Sequence, residues 1–138
     1  MIKYLLGDKM IALITGASNG LGKDFAKELS KEGYDLVLVA RSKNKLEELK
    51  RELKTHIEIE IMDLSIKENV YKLYEKYKGK IDLLINNAGF GAFGKFSETD
   101  LENELNMINL NITTYHILTK LFLQDFVKKD KGTILNVA

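Results

Sequence analysis

The sequence contains no cysteine, which removes disulfide staples, thiolate metal ligands and sulfur redox chemistry together. Histidine is nearly as scarce. His56 and His116 stand alone, and two isolated imidazoles do not build a zinc centre, so no metal site is expected. An excess of one charge is missing too: 21 Lys and Arg against 20 Asp and Glu give a formal net charge of +1. The two signs are interleaved, so nothing draws the chain toward nucleic acid or an acidic membrane surface. No apolar run approaches the length of a membrane span, and the N-terminal MIKYLLGDK has too short an apolar stretch for a signal peptide and no small-residue cleavage site. These absences predict a cytoplasmic protein with neither a nucleic-acid nor a membrane partner.

What is present is an ordinary globular balance. With 138 residues, 45% hydrophobic and 30% charged, the chain has room for one domain with a real core. Strand-like runs over 10–14, 34–40, 57–61, 81–86 and 132–137 alternate with helix-length stretches of period about 3.6, the pattern of a parallel α/β sheet. Leu21, Phe25 and Leu29 line the first predicted helix, which stops at Gly33. Leu46, Leu49 and Leu53 line the second, with Glu47 and Arg51 paired on its solvent side. SIKE (65–68) reads as a capping box opening the third helix, whose stripe is Ile66, Val70, Leu73, Tyr74 and Tyr77 and whose end is Gly79; TDLE (99–102) reads the same way before the fourth.

IEIEI (57–61) alternates as a half-exposed edge strand should, whereas the other four strands, including TILNV near the C-terminus, are nearly continuous apolar runs expected in a sheet interior. A doubly wound sheet of order 3-2-1-4-5 would put the fifth strand at an edge. The fifth strand therefore reads as incomplete, with something expected beyond Ala138.

The chemistry begins at ITGASNGLG (14–22), which follows a strand and opens an amphipathic helix. Loop N–H groups and the positive helix end then converge where an anion would sit. The simpler alternative is a glycine-rich loop without a ligand. After the second strand, where an acidic residue would hold a free ribose 2′-hydroxyl, the chain has Arg41, Ser42 and Lys43. A base there suits a 2′-phosphate, unless these residues are only the solvated start of a helix.

Taken in order, TGASNGLG (15–22), the DLS turn from Asp63 and NNAG (86–89) resemble the short-chain dehydrogenase/reductase family over nearly the whole chain. The resemblance implies a Rossmann-type doubly wound parallel sheet of five strands in the order 3-2-1-4-5, truncated at the fifth, with residues 1–138 forming one NADP-binding domain. It implies that Gly16, Gly20 and Gly22, with Asn19 and Leu21 between them, shape the pyrophosphate turn. Ser18 and Arg41, with Ser42 beside them, would face the 2′-phosphate of NADP (NADPH), in preference to NAD. Asp63 would meet the adenine amino group with Leu64 beside it, and Asn87, Ala88 and Gly89 would run along the adenosine ribose; Asp63 could equally be capping near Ser65. The family also places a catalytic asparagine in the helix after NNAG, where it holds a water in the proton relay. INLNIT offers Asn109 and Asn111, and the family spacing favours Asn111.

The implied activity is hydride transfer between nicotinamide and a carbonyl or alcohol substrate. In the family the strand resembling ILNVA is followed at once by the catalytic serine and then by a Tyr-x-x-x-Lys pair, so this chain is expected to carry the cofactor half without the catalytic half and to be inactive alone. Tyr74 and Lys78 form a literal Tyr-x-x-x-Lys, but they precede NNAG and lie at the wrong end of their helix, so core packing is expected for Tyr74. A non-catalytic nucleotide-binding or sensor module is the alternative; a methyltransferase is disfavoured by Arg41. FGAFGKF (90–96) reads more as loop packing than as an apolar substrate wall. The helix over 105–127 has one stripe through Ile108, Ile112, Tyr115, Thr119, Phe122 and Phe126 and another through Leu110, Thr114, Ile117 and Leu121, more than a sheet needs. Through it the resemblance implies a homo-oligomer.

Overall fold

The structure, a computed structural model, describes residues 9–138. The reading of the first residues as neither signal nor anchor falls mainly on 1–8 and lies outside the described residues.

The elements run β1 (Ile11–Thr15), α1 (Gly20–Lys31), β2 (Asp35–Ala40), α2 (Lys43–Glu52), β3 (Ile57–Ile61), α3 (Lys67–Tyr77), β4 (Leu83–Asn86), α4 (Leu101–Ile108), a π-helical turn (Asn109–Thr113), α5 (Thr114–Lys128) and β5 (Thr133–Asn136). All five strands are parallel in one sheet of order β3-β2-β1-β4-β5. Ile14 lies between Leu38 of β2 and Ile85 of β4. Side chains alternate across a strand, so a sheet covered on both faces needs apolar residues at every position. Accordingly Ala12, Ile14, Leu36 and Leu38 meet Ala26 of α1 and Leu46 and Leu49 of α2 on one face. Leu13, Val37 and Leu84 meet Val70 and Leu73 of α3 and Leu118 and Phe122 of α5 on the other.

Several helix details differ from the sequence expectation. The face α1 buries is Gly22, Ala26 and Ser30; Phe25 and Leu29 only flank it, and Leu21 is 58% exposed. A Cβ on Gly22 would stand 2.1 Å from the Gly16 carbonyl oxygen, so close approach of the helix to its own loop selects the small residues. The SIKE box does not form. Asp63 Oδ1 takes the Ser65 N–H (2.9 Å) and hydroxyl (2.7 Å), α3 starts without a side-chain cap, and Ile66 stays exposed. At α4 the cap is Asp100, which accepts the Asn103 N–H at 2.8 Å, because the Thr99 hydroxyl is turned to the Phe96 carbonyl. Glu47 pairs with Lys43 and not with Arg51, an exposed pair worth about 0–1 kcal/mol. Gly33 and Gly79 do terminate helices, with φ of +91° and +74°.

The π turn corrects the two-stripe reading. A π turn carries one residue more than the α period allows and rotates the succeeding helix by about 100°. Ile108 and Ile112 are exposed, whereas Phe122 and Phe126, in phase with them on an uninterrupted helix, join Thr114 and Leu118 in the buried face. Thr114 anchors the turn, its hydroxyl donating to the carbonyls of Leu64 and Asn109. β5 is also less buried than an interior strand: it forms the sheet edge beside β4, and only Ile134 within it is half-buried.

One buried side chain joins the ends of β1 and β4. Thr15 Oγ1 accepts the N–H groups of Asn87 (2.9 Å) and Ala88 (3.0 Å) and donates to the Ile85 carbonyl at 3.4 Å. Thr15→Val keeps the shape and strands both donors, so we expect a loss of about 1–3 kcal/mol. Thr133→Val, at an exposed position, should stay within about 0.5 kcal/mol. Urea midpoints check this; equal midpoints for the two variants would refute the clamp.

Candidate functional site

A cavity of about 350 Å³ opens where β1, β2 and β4 end. Its walls come from four stretches of chain: Gly16 and Ser18 to Leu21 after β1, Val39 to Arg41 at the end of β2, Met62 to Leu64 after β3, and Asn87 to Gly89 after β4. Leu110 of the π turn closes it. Most of the residues singled out from the sequence therefore share one wall system: Gly16, Ser18, Asn19, Gly20, Leu21, Arg41, Asp63, Leu64, Asn87, Ala88 and Gly89.

Three do not line it. Gly22 packs on the Gly16 carbonyl. Ser42 caps α2, its hydroxyl accepting the Lys45 N–H at 3.4 Å. Asn111 spends its amide on the backbone of Phe90, donating to its carbonyl (2.8 Å) and accepting its N–H (3.1 Å). Asn109, the other asparagine of INLNIT, is exposed and supplies only a backbone carbonyl to Thr114.

The glycines explain the shape. Gly16 has φ +66°, and a Cβ there would stand 2.8 Å from Ala88 Cα; one on Gly89 would stand 2.9 Å from Asn111 Oδ1. The Asn87 amide seals the junction, donating to the carbonyls of Thr15 and Gly16, both at 3.2 Å. Gly20 differs, because at φ +50° no atom lies within 4 Å of where its Cβ would be. That open space lies at the start of α1, where Asn19 makes no side-chain cap and the first turn holds no acidic residue. Lys23 N–H to the Asn19 carbonyl comes first among the helical bonds, so the N–H groups of Gly20, Leu21 and Gly22 have no intrahelical acceptor. An uncapped, positive helix end beside an open glycine fits a phosphate-bearing dinucleotide.

Sequence reasoning missed Met62 and Leu110, apolar residues whose place in the wall depends on tertiary packing, and Lys45, whose Nζ donates to Asn19 Oδ1 at 3.0 Å. It also missed the role of Thr15, although the glycine loop begins at that residue. The loop after NNAG overturns one expectation: Phe93 and Phe96 are 92% and 87% exposed, so the aromatic rings do not pack it.

Tyr74 is structural, as expected. Its ring meets Phe122 edge-on at 5.1 Å, and its hydroxyl donates to Asp125 Oδ1 at 2.9 Å. Burial, reinforced by the Asp125 carboxylate, pushes its pKa up to about 12, the wrong direction for a phenol that must give up a proton near neutrality. Lys78 is engaged with Glu75 at 2.7 Å.

Comparison with known proteins agrees with this geometry. The family model described as short chain dehydrogenase matches residues 10–138. The chain is 34% identical to the human very-long-chain 3-oxoacyl-CoA reductase over 92% of its own length and 44% of that protein's. It is also 34% identical to an uncharacterized oxidoreductase of Staphylococcus epidermidis, over 93% of this chain and 57% of the relative. The chain thus spans about half the length of the curated relatives it matches. Among solved structures, a short-chain dehydrogenase from Sphingobium yanoikuyae in complex with NADPH superposes with a TM-score of 0.86 at 33% identity, covering 92% of this chain and 52% of that one. A metagenomic short-chain oxidoreductase in complex with NADP gives 0.88 at 29%, covering 94% and 62%. With a parallel 3-2-1-4-5 sheet, a glycine loop packed on NNAG and a family match over nearly all of its residues, the chain belongs to the short-chain dehydrogenase family.

Proposed function

We propose that this chain binds NADP(H) and is the cofactor-binding part of an oxidoreductase that passes hydride between nicotinamide and a carbonyl or alcohol substrate. The observation that carries the reading is Arg41 in the cavity wall directly after β2, where a free 2′-hydroxyl would call for a carboxylate. Two structural neighbours were solved with NADPH or NADP, which supports the same choice. In this reading the loop N–H groups from Gly20 to Gly22 hold the diphosphate, with Gly16 giving clearance. Ser18 and Arg41 meet the 2′-phosphate, and Ser42 holds Arg41 in place by capping the next helix. Asp63 and Leu64 hold the adenine, and Asn87, Ala88 and Gly89 flank its ribose. When bound, the cofactor supplies the hydride. Asn111 sets the path of the chain leaving Gly89, which is how we assign it a part in positioning the proton relay.

A guanidinium–phosphate contact contributes about 1.5–3 kcal/mol, enough for a tenfold preference or more. NADPH should therefore bind at least several-fold more tightly than NADH, and Arg41→Asp should erase the difference. Fluorescence titration of both nucleotides tests this; equal affinities in the unaltered chain would remove the reading.

Residues 1–138 alone should show no carbonyl reduction above background. Among the described residues the one Tyr-x-x-x-Lys pair is Tyr74 and Lys78, and the Tyr74 hydroxyl is bound to Asp125. Acid–base help is worth about 10²–10⁴ in rate. A bulky apolar ketone is the substrate to assay, given the exposed Phe93 and Phe96 on the loop leaving the cavity wall. Clean turnover that Asn111→Ala abolishes would contradict the assignment.

Association through the helix over 105–127 also belongs to this proposal. Leu105, Ile108, Ile112, Leu123 and Val127 are exposed, and such a row favours a second copy. Sedimentation at tens of micromolar should show concentration-dependent self-association that Val127→Glu weakens; a monomer throughout would rule it out.

A further inference from the structure

Asn19 stands at the N-cap of α1, where an asparagine ordinarily accepts an N–H from the first helical turn. Here it makes no such bond. Its Oδ1 is taken by the Lys45 ammonium at 3.0 Å, and its Nδ2 reaches Ser18 Oγ at 3.5 Å. Lys45 comes from the far side of the cavity, in the first turn of α2, with its backbone fixed by the Ser42 cap. One cation thus bridges the glycine loop to the helix that follows Arg41, over the part of the wall formed by Ser18, Asn19 and Arg41. Lys43, in the same first turn of α2, is spent on a carboxylate, that of Glu47. Among the described residues neither Arg41 nor Lys45 has an ion-pair partner. Lys45 is left on a neutral amide, a weaker acceptor than any phosphate oxygen.

We propose that Lys45 is a second reader of the cofactor's 2′-phosphate, a specificity-determining residue that works with Arg41; the inference rests on the NADP(H) reading above. Without a cofactor the ammonium rests on Asn19 and ties the loop to α2. A phosphate dianion between Ser18 and Arg41 is the better acceptor, because charge-assisted hydrogen bonds are roughly twice as strong as neutral ones. The ammonium then moves to the phosphate, and Asn19 Oδ1 is released to solvent, the first-turn N–H groups of α1 being left to the diphosphate. No covalent step is involved. If Lys45 did no more than tie loop to helix, losing it would loosen the whole dinucleotide site without regard to the 2′ substituent.

That difference sets the experiment. Dissociation constants for NADPH and NADH are measured by titration on the unaltered chain, Lys45→Met, Lys45→Arg and Arg41→Asp, at pH 7.5 and 5.5. Lys45→Met should weaken NADPH by about three- to tenfold, with NADH within about twofold, and Lys45→Arg should restore most of the loss. The Lys45→Met penalty should shrink at pH 5.5, where a phosphate monoester with a second pKa of about 6 loses part of its charge. Equal weakening of both nucleotides would make Lys45 a purely structural tie, and no weakening of either would remove it from the site; either outcome overturns the inference alone if Arg41→Asp still abolishes the NADPH preference. No NADPH preference in the unaltered chain would overturn the underlying reading and the inference together.

Discussion

The site depends on a contact between two strand ends. β1 and β4 are hydrogen-bonded neighbours up to Ile14 and Ile85, and one residue later their chains must part to reach opposite faces of the sheet. Thr15 and Asn87 hold that parting point: a hydroxyl takes two backbone donors from one chain, and an amide gives to two carbonyls of the other. The backbones come so close that Gly16 could not carry a Cβ without meeting Ala88. Backbone polar groups at such a fork would otherwise be buried without partners, at a cost of about 1–3 kcal/mol each. With them satisfied, the glycine loop and the NNAG segment form one rigid wall, and the cavity lies against it.

Much of this was legible because it is written in local chemistry. Alternating apolar runs separated by amphipathic helices determine a parallel sheet, and the strand bounds fall within two residues of expectation. Nearly all the cavity-lining residues cluster in four short segments, each at the end of a strand, and in a parallel α/β sheet strand ends converge without further information. The face α1 buries was harder to read, because hydrophobicity points to Leu21, Phe25 and Leu29 while geometry selects Gly22, Ala26 and Ser30. Where a helix must approach its own loop within van der Waals contact, size outranks hydrophobicity. The cap at Asp100 was missed because Thr99 beside it is an equally good capping residue by type, but its hydroxyl is held by the Phe96 carbonyl; the Asp63–Ser65 contact is one of the two readings the sequence offers for Asp63.

The π turn shows a second limit. Periodicity analysis assumes a constant angle per residue, and Asn109–Thr113 breaks it. Its placement has a purpose that the stripes could not reveal. The turn is pinned by Thr114 to the Leu64 carbonyl, beside Asp63, while Asn111 within it grips both polar groups of Phe90. The irregular turn and the first residue of α5 after it therefore tie the wall after β3 to the chain leaving β4, so that two sides of the cavity are referenced to one short stretch. π turns recur at functional sites because the extra residue re-aims a side chain that a regular helix would direct elsewhere.

Tyr74 carries the same lesson into chemistry. Its spacing to Lys78 satisfies a four-residue pattern that elsewhere in the family marks an acid, yet spacing alone specifies neither partner. Here the lysine is drawn to Glu75 and the phenol to Asp125. A carboxylate accepting the hydroxyl proton stabilises the neutral phenol, and desolvation works the same way, so both effects raise the pKa. Lowering it would need a cation within reach and no carboxylate. The Asp125 side chain has a separate structural use, since its second oxygen accepts the Gly79 N–H where the chain turns out of α3. The carboxylate that makes Tyr74 unsuitable as an acid is thus the one that docks the end of α3 on α5.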